Sequence, residues 1–254
     1  MRAEGEIMKK ISSALLAALL LLATVFTGAP TAMAAGVSVN ATTVTVYFLN
    51  QEFREKISQP AAYPASFQLK VTGADKATYR VTAGESATVS STGLVEPLCT
   101  RYYWYGNVGS TASTPGKTPD RVTESYTAGD STVQVTAGGK TFRVTVHVQS
   151  YAQVYVDSVM QDYIAKNLPA NPTDYNKAET AAKFAAQYEY SANYSSYLSM
   201  VILGGGDCWA STGAVNRMCS LMGLPAWTPN GNNDDAPGRG HAHTFAQCAT
   251  GPYY

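Results

Sequence analysis

Residues able to act as nucleophile or proton carrier are few: cysteines at 99, 208, 219 and 248, and three histidines, two of them in Gly240-His-Ala-His-Thr-Phe245. Cys208 stands in Gly204-Gly-Gly-Asp-Cys-Trp-Ala210, where a glycine loop runs into a segment of helical period. A thiol at the start of a helix meets unpaired N–H groups and the positive end of the helix dipole, both of which favour thiolate over thiol. Flanking glycines would let a substrate backbone approach. An imidazole within reach, His243 or alternatively His241, could take the thiol proton and later protonate a leaving amine. The two histidines also have a strand spacing that suits a metal, but no third ligand is placed beside them, so neither metal nor cofactor is expected. The plain alternative for Cys208 is a small buried hydrophobe. His147 is expected on the polar face of a strand, solvated.

These residues need elements to hold them. A helix is expected from the Gly204–Asp207 loop to Gly223, which supplies the left-handed residue after the helix, with Pro225 preventing continuation. Along it Cys208, Val215, Cys219 and Met222 fall near one face, so the thiol should point toward the body of the protein. Cys208 and Cys219 lie too far apart to form a disulfide, about 16 Å along one helix, where about 7 Å is the limit. Upstream, Val154 to Lys166 reads as helix and Pro169 to Thr173 breaks it. Thr173 or Asp174 can cap a further helix running to about Tyr190, with Ala178, Ala181, Ala185 and Tyr188 on one stripe.

Residues 37 to about 150 read as all-β. Thr42–Phe48, Phe67–Val71, Ala87–Val89, Thr132–Val135 and Thr141–Val148 are short, β-branched and alternating. Phe142, Val144, Val146 and Val148 share one face of the last of these. Gly138-Gly139 signals a hairpin, and Gly106 to Asp120 reads as a long exposed loop. The change of period near residue 150 marks a domain boundary.

Composition and the N-terminus bound the possibilities. Apolar residues make up 45% and charged residues 14%, enough for a packed core. With 18 basic and 18 acidic residues, nucleic acid is not expected as a partner. Tyrosine outnumbers phenylalanine 17 to 7, which suits half-buried surfaces of extracellular β-rich proteins. Lys9-Lys10, the apolar run from Ala14 to Phe26 and the small residues of Ala32-Met-Ala34 have the order of an export signal, expected over residues 1–34. No second run of membrane length follows, so a secreted or cell-surface bacterial protein, with no membrane partner after cleavage, is the expectation.

Two resemblances add to this reading. Val89-Ser-Ser-Thr-Gly-Leu-Val95, followed by the strands of Ser131 to Val148, resembles the second half of a bacterial Ig-like module, with residues 99–128 departing from the pattern. Gly206-Asp-Cys-Trp-Ala210, Leu221-Met-Gly-Leu-Pro-Ala226 and His243-Thr-Phe245, in that order, resemble the transglutaminase-like core, and Thr173-Asp-Tyr-Asn-Lys-Ala178 resembles its lead-in helix. The implied architecture is multidomain. An all-β Ig-like sandwich spans 35–150, and an α+β transglutaminase-like domain of papain-like cysteine protease type spans 151–254. By resemblance Cys208 is the nucleophile and His243 the base, with His241 the alternative. Gly206, Asp207 and Trp209 would lie about the substrate and oxyanion, Trp209 as a packing or pocket residue.

That family's third member, an acid on the next strand, has no counterpart: the chain stops at Gly251-Pro-Tyr-Tyr254, and Asp234 and Asp235 fall at the wrong place. The domain is therefore expected to be incomplete. The implied activity is acyl transfer or hydrolysis at peptide or protein amides through a Cys208 thioester. The alternatives are a cell-wall peptide hydrolase and a non-catalytic surface adhesion or scaffold protein carrying a degenerate module.

Overall fold

The structure is a computed structural model that describes residues 36–229, 242–249 and 251–253. The expected export signal (1–34), His241, Asp234 and Asp235 lie outside the described residues.

The first unit is built on β-branched alternation. Strands β1 (Ser38–Val39), β2 (Thr43–Phe48), β3 (Phe67–Gln68), β4 (Val71–Thr72), β5 (Ala77–Ala83), β6 (Ala87–Val89) and β7 (Leu94–Pro97) precede an inserted sheet of β8 (Cys99–Tyr105), β9 (Val108–Ser110) and β10 (Arg121–Tyr126). The long strands β11 (Gly129–Ala137) and β12 (Lys140–Ser150) close the unit. Four strands form one sheet in the order β2-β12-β11-β5, with β2 parallel to β12, and β3-β7-β6 form a second. Period-two alternation sends Val44, Val46, Val133, Val135, Val144, Val146 and Val148 to one face. All seven are buried in a common core with Leu69, Ala87 and Val95. Each buried valine is worth about 1.5–3 kcal/mol against exposure, which makes this face the main support of the unit.

The hairpin between β11 and β12 forms where Gly138-Gly139 stand, with φ of 53° and 73° and Ala137 opposite Lys140. Both central residues thus take the left-handed region that a tight two-residue hairpin demands. Two expectations are corrected. The segment 106–120 is not one loop: Gly106, with φ of 64°, turns the chain so that Val108–Ser110 pairs back onto β8. His147 is not simply solvated, because it faces Asp130 across the hairpin, with Nδ1 2.6 Å from Oδ1. The inserted sheet is tied to the turn at Gln51–Phe53 by Arg54, whose Nη2 lies 2.6 Å from Glu124 Oε2. Burial opposes ionisation of Glu124, yet the hydrogen bonds and charge of Arg54, with Tyr126 and Arg101, hold its carboxyl below the ordinary range.

The second unit follows without a linker. Helix α1 (Tyr151–Asn167) begins at the residue after β12; Ser150 pairs with Phe48 as the last residue of the strand and caps the helix by accepting from Gln153 N at 3.3 Å. Helix α2 (Asp174–Ala185) starts from a capping box between Thr173 and Asn176. It stops earlier than the expected Tyr190: Gln187 and Tyr188 N–H groups bond three residues back, and the chain turns into β13 (Glu189–Tyr190). A short helix α3 (Tyr197–Leu203), absent from the sequence reading, leads through β14 (Gly205–Gly206), which pairs parallel with β13, into α4 (Cys208–Leu221). Strands β15 (Ala226–Trp227), β16 (Phe245–Cys248) and β17 (Gly251–Tyr253) form an antiparallel sheet beside the helices. The core joins Val156 and Met160 of α1, Ala181 and Phe184 of α2, Met200 of α3, and Ala210, Ala214, Met218 and Cys219 of α4. A further cluster of Leu49, Phe53 and Ile57 with Tyr151 and Ala152 joins the two units.

Candidate active site

The start of α4 is set by Asp207. Its backbone is extended, and its Oδ1 accepts from Ala210 N at 2.9 Å, a carboxylate cap on N–H groups that the helix leaves unpaired. The other oxygen, Oδ2, accepts from Ser195 Oγ at 2.5 Å, and Asp207 N donates to Tyr194 O at 2.9 Å. The cap is thereby anchored to the loop after β13. Cys208 is the first helical residue, as expected, and is partly exposed. Of the face expected to turn inward, Cys219 is buried while Cys208, Val215 and Met222 are at the margin of the core. Cys208 thus lies at the edge of the packed surface, with Trp209 beside it 48% exposed rather than packed.

The glycines before Cys208 serve the fold. Gly204 ends α3 with φ of 95°. Gly205 and Gly206 are buried, and a Cβ on Gly206 would stand 2.6 Å from Ala210 Cβ and 3.0 Å from Met200 Cβ. Gly206 therefore permits α3 and α4 to approach closely, and its surroundings are helix side chains where the sequence suggested room for a substrate.

His243 is brought to this helix from far along the chain. It stands two residues before β16, not on the strand, and is partly buried. The next residue, Thr244, donates from Oγ1 to Thr212 O at 3.3 Å. Thr212 is one helical turn beyond Cys208, so the segment carrying His243 is hydrogen-bonded to the first turns of the helix that Cys208 begins. The imidazole ring lies 5.0 Å from the Phe245 ring, which stacks on Trp227 at 6.1 Å. The aromatic residue two positions after the histidine is thus a wall for it.

Other groups around α4 were not legible in the sequence. Arg217 grips Asp157 of α1 with two bonds, Nε to Oδ1 at 2.7 Å and Nη2 to Oδ2 at 2.5 Å, and the Asp157 hydrogen bond holds the guanidinium above its ordinary pKa. Gln153 links Asp157 to the Tyr197 hydroxyl, so α1, α3 and α4 share one polar network. Asn216 donates to Thr228 Oγ1 at 2.8 Å, while its buried Oδ1 has no hydrogen-bond partner among the described residues. Among the described residues no three histidine, cysteine, aspartate or glutamate side chains group as metal ligands. Clefts of about 740 and 480 Å³ lie elsewhere, the second beside Tyr151, Tyr155 and Tyr188, and neither is lined by Cys208 or His243.

The structure thus supplies a partly exposed cysteine at a capped helix start and a histidine-bearing segment hydrogen-bonded to the next turn of that helix. No protein-family model matches the chain, and no curated protein sequence matches it.

Proposed function

We propose that the second unit is a transglutaminase-like cysteine enzyme acting on amide groups of peptides or proteins, with Cys208 as nucleophile and His243 as base, His241 being the alternative. The observation that carries this reading is the Thr244–Thr212 hydrogen bond, which ties the His243 segment to the helix one turn from Cys208. The Cys208 proton passes to the imidazole, and the thiolate attacks the carbonyl carbon of a carboxamide or peptide bond. The C–N bond breaks as the imidazolium returns the proton to the leaving amine, and a thioester remains. An acceptor amine then forms a new amide, or water releases the acid. The N–H of Cys208 at the start of α4 favours the developing oxyanion. The preceding β unit and the expected export signal suit action on cell-wall or surface proteins, the β unit being read as Ig-like.

Amine incorporation into a glutamine-containing protein, read beside peptide release, separates crosslinking from hydrolysis. Cys208→Ala should reduce either activity by at least 10³-fold, on the order seen for nucleophile removal. Unchanged turnover in that variant removes Cys208 from the mechanism. Iodoacetamide at neutral pH should modify Cys208 faster than Cys219 and Cys248. Equal rates at all three would leave a structural module without an activated thiol, as in an adhesion or scaffold protein.

A further inference from the structure

Cys219 and Cys248 take no part in that chemistry, yet the fold buries both, as free thiols, in one cluster. The β15–β16 ladder pairs Ala226 with Ala246 and Trp227 with Phe245, and Gln247 N donates to Pro225 O at 2.8 Å. Continuing this register places Cys248 across from Leu224. Leu224 N in turn donates to Cys219 O at 2.9 Å, closing the end of α4. One ladder step and one capping bond therefore connect the two residues. Along β16, Ala246 and Cys248 face inward, and Cys219 and Cys248 are buried in the same cluster, 0% and 5% exposed. Burial and the nearby Cys248 push the Cys219 thiol up to about 11, as expected for two thiols sharing one apolar space.

We infer that Cys219 and Cys248 are a disulfide site that joins the end of α4 to β16 under oxidising conditions. The other cysteines are excluded as partners by placement. Cys208 begins the helix that nearly ends at Cys219, about 16 Å away along its axis. Cys99 lies on β8 of the other unit. The oxidant is a disulfide such as oxidised glutathione or a protein disulfide. One cysteine thiolate attacks it, forming a mixed disulfide and expelling the first thiol. The second cysteine thiolate then attacks the mixed disulfide, forming the Cys219–Cys248 bond and expelling the second thiol. Two electrons reach the oxidant, and the two cysteine protons are accounted for in its two thiols. Since both cysteines are buried in the folded chain, the exchange belongs to folding or to opening of the sheet in which β16 lies between β15 and β17. The bond fixes the helix bearing Cys208 to the strand that follows His243 and withdraws two competing thiols. This last consequence rests on the proposed function; the bond itself does not.

The test is a disulfide map of the full chain folded in a mixture of reduced and oxidised glutathione. After blocking with iodoacetamide in denaturant, tryptic cleavage at Arg217 and Arg239 separates the two cysteines into different peptides. The expected result is the Met218–Arg239 peptide linked to the peptide beginning at Gly240, with Cys99 and Cys208 carrying the alkyl group. Four alkylated cysteines, or any other pairing, overturns the inference. Reducing the mapped protein should lower its thermal midpoint by about 5–10 °C, from the entropy of the loop released. The same treatment should leave Cys248→Ala unmoved. A midpoint insensitive to reduction in the unsubstituted chain likewise overturns it. Neither readout depends on activity, so a correct map beside an inert Cys208 would sink only the proposed function.

Discussion

Asp207 concentrates two tasks in one carboxylate, since it caps α4 through Ala210 N and holds Ser195 through its other oxygen. Replacing it with alanine removes the cap and should cost about 1 kcal/mol in urea unfolding. Asparagine retains an acceptor for Ala210 N and should cost less. If the cap also positions Cys208, Asp207→Ala slows alkylation of that thiol, whereas Asp207→Asn leaves most of the rate. Cys219 gives a second prediction at this scale, for the reduced protein. Its folded pKa is raised to about 11 from an ordinary thiol value near 9, so the unfolded chain loses its proton first. The stability contributed is complete below the unfolded value and is lost as pH rises toward the folded one, with a slope of at most about 1.4 kcal/mol per pH unit. Unfolding free energies between pH 8 and 10 should fall more steeply for the natural chain than for Cys219→Ala. Equal slopes would show that the thiol titrates alike in both states.

Between elements, the controlling contact is the approach of α3 to α4 over Gly206. An alanine there would set its Cβ 2.6 Å from Ala210 Cβ, and both partners are on packed helices that yield only by moving apart. Gly206→Ala should destabilise by about 1–3 kcal/mol, as overpacking does. Adding Ala210→Gly should restore part of that loss, because the nearer clash disappears; a strictly additive double mutant would disprove the contact. The glycine run was legible as a helix entry, and Thr173 and Gly223 as helix signals, because such signals are read from neighbours in sequence; the cap made by Asp207 was not read there. The role of Gly206 was not legible, since its close partner Met200 belongs to a helix that the sequence reading did not contain.

Across the whole molecule, β12 and α1 share Ser150, and the cluster of Leu49, Phe53, Ile57, Tyr151 and Ala152 is common to both units. Unfolding should therefore be one calorimetric transition. Phe53→Ala opens that shared cluster at a cost of about 3–5 kcal/mol and should separate the transition into two. Two transitions already present in the unsubstituted chain would show that the joint transmits little stability. The change of period near residue 150 falls where β12 passes directly into α1.

What the sequence determined alone was local: the alternating face of β12, the Gly138-Gly139 hairpin, the helix start at Cys208 and its stop at Gly223. Each follows from backbone conformation or periodicity within a few residues. Whereas the turn at Gly106 that makes β9 a strand is a local hairpin with Tyr105 opposite Val108, the bond from Thr244 to Thr212 and the burial of Cys219 and Cys248 in one cluster were decided by tertiary structure. These depend on segments separated by many residues being brought into one core, where burial and register, not spacing along the chain, choose the neighbours.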